Sequence, residues 1–222
     1  MHWANHRFQN QHRAEENVIP GFNCLVLDVD KGTPFATAVH LLKEFKFFAY
    51  TTKRHTPEAN RFRLVLPINY KLELDADEYR EFMLNVIKWL PFEIDEQANQ
   101  RSRKWQTFEG GQYFYNMDGE ILDALRFIPK TAKNEQFQAE FRAIENLSNL
   151  ERWFAQRIAV GNRNNNMLRF AMALVDSGMT LLDVEKSVYS FNDKLVPPLR
   201  RDEVASTIMK TVAKRFVKPA TP

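Results

Sequence analysis

The sequence predicts an α+β protein, in which strands and helices alternate around a mixed or antiparallel sheet and a small all-α bundle follows. Three observations carry this. The apolar run Leu25-Val26-Leu27 leads through Asp28-Val29-Asp30-Lys31 into Gly32, as a strand entering a turn does. Segments 47–52 and 61–67 join aromatic and β-branched residues to alternation, which marks two further strands. Beyond Pro129 only helical periodicity is left.

The elements follow in order. Gly32-Thr33-Pro34 reads as turn, N-cap and first helical residue, and Ala38, Leu41, Leu42 and Phe45 continue at helical spacing. A polar, proline-marked loop, Lys53 to Asn60, joins the second and third strands and gathers three basic side chains, Lys53, Arg54 and His55. Asp75-Ala76-Asp77-Glu78 opens a helix through Phe82, Val86, Ile87 and Leu90, acidic where the helix dipole favours it. Residues 92–128 read as loop and short strands. A linker at 129–134 divides the chain into domains 1–130 and 131–222, the second with helices predicted at 137–160, 166–177, 181–192 and 201–216. Gly161 and Gly178 stand at helix ends, Thr180-Leu181-Leu182-Asp183 has the form of a capping box, and Pro197-Pro198 parts the last two helices.

Composition excludes several classes. Apolar residues make up 44% and charged residues 27%, ordinary values for a soluble chain. No run of about eighteen apolar residues exists to cross a membrane. The N-terminus, Met1 to Arg7, is too polar for a secretory signal. A single cysteine, Cys24, excludes an internal disulfide and fits a reducing, cytoplasmic setting. Net charge is +3 but uneven: residues 151–222 carry 12 Lys/Arg against 7 Asp/Glu, and residues 1–150 carry 19 against 21. That is a modest bias toward an anionic partner at the C-terminal end. With only seven glycines and neither a Walker loop nor a dinucleotide fingerprint, motor activity must come from elsewhere.

The chemistry is carried by a combination. Asp28 and Asp30, two residues apart on a strand, share a face and offer hard oxygen donors to a divalent cation, although Asp is also common at strand ends for local hydrogen bonding. Arg61 and Arg63 likewise share a face on the third strand, and with His55 they could grip phosphates that cations leave uncovered. Asp95, with Glu96 as its near rival, is the candidate third carboxylate. His55 could equally be a solvated or capping side chain. His2, His6 and His12 lie in a polar N-terminal stretch without cysteines, read as a disordered tail rather than a zinc site, with packing of that tail onto the domain through Trp3, Phe8 and Phe22 as the alternative. The phenylalanines at 45, 47, 48, 62 and 82 are read as core, leaving Tyr113 and Tyr115 as candidates for stacking on a base.

The block Leu-Val-Leu-Asp28-Val-Asp30-Lys-Gly, then Tyr50-Thr-Thr-Lys-Arg-His55-Thr-Pro-Glu and Arg61-Phe-Arg63-Leu-Val-Leu-Pro67, resembles archaeo-eukaryotic-type primases and, more narrowly, the primase-polymerases of phages and plasmids. The segment from Gly161-Asn162-Arg163-Asn164 through Gly178, Asn192 and Pro197-Pro198-Leu199 to Glu203-Val204 resembles the helical primase C-terminal domain that follows such catalytic domains. The resemblance implies that Asp28, Asp30 and Asp95 hold two Mg²⁺ or Mn²⁺ ions. It implies that His55 acts catalytically and that Lys53, Arg54, His55, Arg61, Arg63 and Arg103 bind nucleoside triphosphate. It makes Asn162, Arg163 and Asn164 candidate nucleic-acid contacts, against the plain alternative of an N-cap and turn. Single-stranded DNA template, nucleoside triphosphates and a separate replicative helicase are the implied partners, in the host cytoplasm for a phage protein. Two departures stand out: Arg54 replaces a serine that such relatives often carry before the histidine, and the third carboxylate lacks a crisp hydrophobic-Asp signature. The expected activity is primer synthesis by template-directed nucleotidyl transfer. The alternatives are a catalytically silent replication-initiation or helicase-loading module on the same fold and, third, a metal-dependent nuclease.

Overall fold

Alternation builds the first half of the molecule. The computed structural model describes residues 1–30, 32–94 and 99–217. In chain order its elements begin with β1 (His2–Trp3), β2 (Arg7–Phe8), β3 (Val18–Ile19), β4 (Phe22–Val29), α1 (Phe35–Leu41), β5 (Phe47–Thr51), β6 (Phe62–Leu72) and α2 (Ala76–Trp89). They continue with β7 (Trp105–Gln106), β8 (Tyr113–Asn116), α3 (Ala132–Ala143), α4 (Asn149–Ala155), α5 (Arg163–Asp176) and α6 (Leu181–Asp193). Last comes α7 (Arg201–Glu203), which runs through a π-helical stretch, Val204–Met209, into α8 (Lys210–Val217). The protein is α+β, with small antiparallel sheets and a helical C-terminal region, as the sequence predicts.

The main sheet has the order β4-β6-β5-β8, each neighbouring pair antiparallel. Leu25, Leu27 and Val29 of β4, Phe62, Leu64 and Leu66 of β6, and Phe47 and Ala49 of β5 alternate onto one fully buried face. Pro67 is tolerated in the central strand because β5 pairs with β6 only over residues 62–65, so the side left without a donor at 67 is already an edge. α2 starts from a capping box in which the Asp75 carboxylate accepts from the Asp77 and Glu78 N–H groups and Glu78 accepts in return from Asp75 N–H. Its Phe82 meets Phe22 at 5.8 Å and Phe127 at 6.2 Å, and its Trp89 meets Phe45 at 5.2 Å. Each such ring contributes about 1.5–3 kcal/mol by burial.

The N-terminal segment is ordered, which corrects the disordered-tail reading. β1 pairs with β7, Trp3 opposite Trp105, and Trp3, Cys24 and Val65 pack against the buried pair Val26 and Trp105. β2 pairs with β3. His6 is buried between Phe22 and Tyr79, with ring centroids 5.2 and 5.3 Å away. Trp3 and Phe22, two of the aromatics offered by the sequence to pack this segment onto the domain, do so.

The chain divides into two units, Met1–Glu145 and Asn146–Pro222. α3 lies in the first, tied to α2 by the Asn85 amide, which donates to the Phe127 carbonyl at 3.1 Å and accepts from Gln138 at 2.8 Å. The single helix predicted at 137–160 is thus two helices, α3 and α4. Ser148 breaks it: its hydroxyl accepts from Glu151 N–H while the Glu151 carboxylate accepts from Ser148 N–H, a capping box that starts α4 afresh.

In the second unit Trp153 and Phe154 of α4, Phe170 of α5 and Phe191 of α6 form the buried centre, with Phe170 and Phe191 centroids 4.6 Å apart. Val204, Ile208 and Val212 join that core. The double-proline loop is closed by the buried Asn192 amide, which donates to Leu199 C=O and accepts from Leu199 N–H, both at 2.9 Å. No helix among the described residues is long and apolar enough to cross a membrane.

Candidate active site

One face of the main sheet is buried, and the opposite face carries the polar residues. The register places Asp28 opposite Arg63, Arg63 opposite Tyr50, and Tyr50 opposite Tyr113, so these four side chains share that second face. β1 and β7 roof the part above Val26 and Val65 with Trp3 and Trp105.

Asp28 is 6% exposed and lies at ion-pair distance from two guanidiniums, without a hydrogen bond between its Oδ1 and Arg63 Nε. Arg63 Nε lies 3.3 Å from Asp28 Oδ1, and Arg103 Nη2 lies 3.8 Å from Asp28 Oδ2. The indole of Trp105 orients both arginines, with their charges 5.2 and 5.4 Å from the ring centroid. Arg63 further donates through Nη1 to the Gln106 carbonyl at 2.5 Å and lies 5.8 Å from the Tyr50 ring. β7 is therefore the clamp of the site. Sequence reasoning singled out Arg103 but missed Trp105, Gln106 and Tyr50; the spacing Arg103-x-Trp105, two residues on one side of an extended segment, was the available signal.

The N-terminal segment fixes that clamp from behind. Arg101 is buried, its Nε 2.7 Å from Glu15 Oε1 and its Nη1 donating to Leu74 C=O at 3.1 Å. Ser102 N–H donates to Glu15 Oε2 at 3.0 Å, and Arg13 donates to Ser102 C=O at 2.7 Å. Burial works to raise the Glu15 carboxyl, but the hydrogen bonds from Arg101 and Ser102 outweigh it and hold the group below its ordinary range.

One step past the paired ladder lie Asp30, half-buried just after the end of β4, and Arg61, half-buried just before β6. Among the described residues Arg61 makes no side-chain ion pair or hydrogen bond. Its backbone N–H donates to His55 Nδ1 at 3.1 Å, and its carbonyl accepts from Thr52 N–H at 2.9 Å. Because Nδ1 accepts, the neutral His55 ring carries its proton on Nε2. The loop is locally fixed: Asn60 accepts from Phe35 N–H at 3.2 Å and donates to Pro57 C=O at 3.2 Å, while Thr56 accepts from Ala59 N–H at 3.0 Å. Lys53 and Arg54 are exposed on it.

The structure thus brings Asp28, Arg63 and Arg103 into direct contact and sets Asp30 and Arg61 at the neighbouring end of the ladder. Asp95 and Glu96 lie outside the described residues. Among the described residues no group of three or more His, Cys, Asp or Glu side chains is arranged to hold a metal ion. The two carboxylates that are described have the donor type that Mg²⁺ or Mn²⁺ requires, and Mg²⁺ is commonly held by one or two carboxylates together with substrate phosphates.

In the second unit, Asn162 closes a turn, accepting from Ala159 N–H at 2.7 Å and donating to Arg157 C=O at 3.0 Å. Asn164 is bonded to Glu203. Two of these three candidate contacts thus have structural work within the fold, and Arg163 remains half-buried at the first position of α5.

Comparison with protein families makes the chain primase-related: residues 151–216 match the model of Primase C terminal 1 (PriCT-1). The VapE N-terminal domain model matches residues 5–130, more than half of the chain, and the chain belongs to that family. Nothing among the curated proteins or the solved structures matches it.

Proposed function

We propose that this chain is a DNA primase-polymerase of a phage or plasmid replication system, of the archaeo-eukaryotic primase type, making primers by template-directed nucleotidyl transfer in the cytoplasm. The observation that carries the reading is the convergence of Asp28, Arg63 and Arg103 beside Asp30 and Arg61, in a primase-related chain. Asp28 and Asp30, with Asp95, would hold two Mg²⁺ or Mn²⁺ ions. When bound, such ions neutralise the triphosphate and acidify the attacking hydroxyl.

The chain's own residues divide the remaining work. Arg63 and Arg103 position Asp28: their guanidiniums orient its carboxylate and reduce the like-charge repulsion between it and Asp30. Arg61 and the Nε2–H of His55 would donate to triphosphate oxygens, with exposed Lys53 and Arg54 as outer contacts. The expected partners are single-stranded template, nucleoside triphosphates and a separate helicase.

The test is incorporation of labelled nucleotide on single-stranded templates with Mg²⁺ or Mn²⁺. The expected result is product from the wild-type chain and none from Asp30→Ala. No product across varied templates and both metals overturns the reading. A second reading, a catalytically silent DNA-binding or helicase-loading module, is favoured by the commitment of Asp28 to two arginines. It requires DNA binding that survives substitution of both aspartates, with no incorporation by the wild type.

A further inference from the structure

An aromatic surface and a glycine turn are left over by the catalytic reading. Beside the Asp28 cluster the same sheet face opens into a cavity of about 350 Å³ walled by Trp3, Phe48, Tyr50, Phe108 and Tyr113. That volume falls in the ~300–1,000 Å³ range of small-molecule sites. Phe48 belongs here and not to the core: Phe47 points inward, so its neighbour points out. Phe48 is 36%, Phe108 41%, Tyr115 57% and Tyr113 68% exposed. A contiguous apolar surface of this kind marks a binding site.

Ring orientation identifies the ligand class. Some aromatic pairs of the first unit, such as Phe22 with Tyr79 and Phe82 with Phe127, meet edge to face at 84° and 85°. The cavity rings are inclined less steeply: Phe48 is tilted 34° from Tyr50 and 32° from Tyr113. They form a row of flat faces, which suits flat ligands. The row is maintained by Gly111, where an added Cβ would come within 2.9 Å of the Thr51 carbonyl. Gln112 bonds to Thr51 in both directions there, which lays the chain along the end of β5 with Phe108 and Tyr113 on either side. At the far end Arg63 sits 5.8 Å from the Tyr50 ring, with Arg103 close behind on Trp105. Aromatic floor and cationic end together are complementary to stacked bases with a phosphate chain.

We infer that this cavity binds unpaired bases of a single-stranded nucleic acid, stacked on Phe48, Tyr50 and Tyr113 with the phosphates turned toward Arg63. The inference rests on the nucleic-acid reading above and adds to it a defined subsite. Phe48 lies 5.7 Å from Tyr50 and 6.5 Å from Tyr113, a spread of rings wider than one base, so a strand is the occupant and not a lone nucleotide.

Fluorescence anisotropy of labelled oligo-dT and oligo-dA with the full chain, in EDTA and without nucleotide, tests it. Tyr113→Ala should weaken binding about tenfold, Phe48→Ala combined with Tyr113→Ala about a hundredfold, and Tyr113→Phe less than about twofold. Circular dichroism of each variant checks the fold, and exposed Tyr113 can lose its ring without disturbing the core. Wild-type affinity in the double alanine variant overturns the inference, as does an absence of binding by the wild type. Displacement by a nucleoside triphosphate alone overturns the strand as occupant. Self-association by sedimentation velocity that vanishes in Tyr113→Ala, without oligonucleotide binding, assigns the surface to a second copy and also overturns it. Ring-dependent binding without nucleotide incorporation defeats only the polymerase reading; incorporation with ring-independent binding defeats only this one.

Discussion

Removing one partner of the Asp28–Arg63 pair separates structure from chemistry. The Asp28 and Arg63 side chains are 8% and 14% exposed, so the pair is shielded from water. Breaking a buried pair from one side costs about 3–5 kcal/mol, because the remaining charge is left uncompensated. Arg63 would keep the Gln106 carbonyl and the Tyr50 and Trp105 rings, and Arg103 lies within reach of Asp28, so the lower end applies. Asp28→Ala should therefore cost about 3 kcal/mol, Arg63→Leu a similar amount, and the double variant well under the sum, with a coupling of about 1–3 kcal/mol. Urea unfolding of the four chains measures it. Additivity within about 0.5 kcal/mol would refute the claim that Arg63 positions Asp28. The consequence for any activity assay is direct: Asp28→Ala alone mixes loss of a ligand with loss of stability, whereas half-buried Asp30 offers a cleaner substitution.

Three further outcomes are expected. Burial, reinforced by nearby Arg101, lowers the His6 pKa from 6.5 to about 4, so the folded protein resists protonation that the unfolded chain accepts. Stability should be complete above pH 6.5 and fall by about 3 kcal/mol as pH drops toward 4, and His6→Gln should flatten that slope in urea titrations at stepped pH. Asn192→Ala strands the Leu199 N–H and C=O and should destabilise the second unit by about 3 kcal/mol, read from Trp153 emission during unfolding. Gly111→Ala must push the backbone off Thr51, costing about 1–3 kcal/mol in unfolding experiments.

The strands and the site were legible to different degrees, for physical reasons. β4, β5 and β6 carry strong period-two patterns over a buried face, and α2 announces itself by Asp75 and Glu78, so local sequence specified them. Asp28, Arg63 and Arg103 could be nominated from residue type. Their mutual contact could not, because it depends on β7, a two-residue strand whose partner β1 lies at the other end of the domain. The N-terminal segment was legible only through its aromatics for the same reason: its order comes from long-range bonds, Glu15 to Arg101 and Trp3 to Trp105, not from its own propensity. Phe48 looked like core because a run of aromatics conceals which alternate members face out. The break between α3 and α4 was readable in Ser148 and Glu151 but lay inside an otherwise continuous helical pattern.

The central claim is that the carboxylates and arginines at this end of the sheet bind a metal–nucleotide complex. Titration of Mn²⁺ against the full chain, with and without a nucleoside triphosphate, reads this by electron paramagnetic resonance of the free ion, without need of turnover. The account predicts Mn²⁺ binding that strengthens when triphosphate is present, and that Asp30→Asn loses while its unfolding midpoint is unchanged. Equal Mn²⁺ binding by Asp30→Asn and wild type, or none by either, would contradict it.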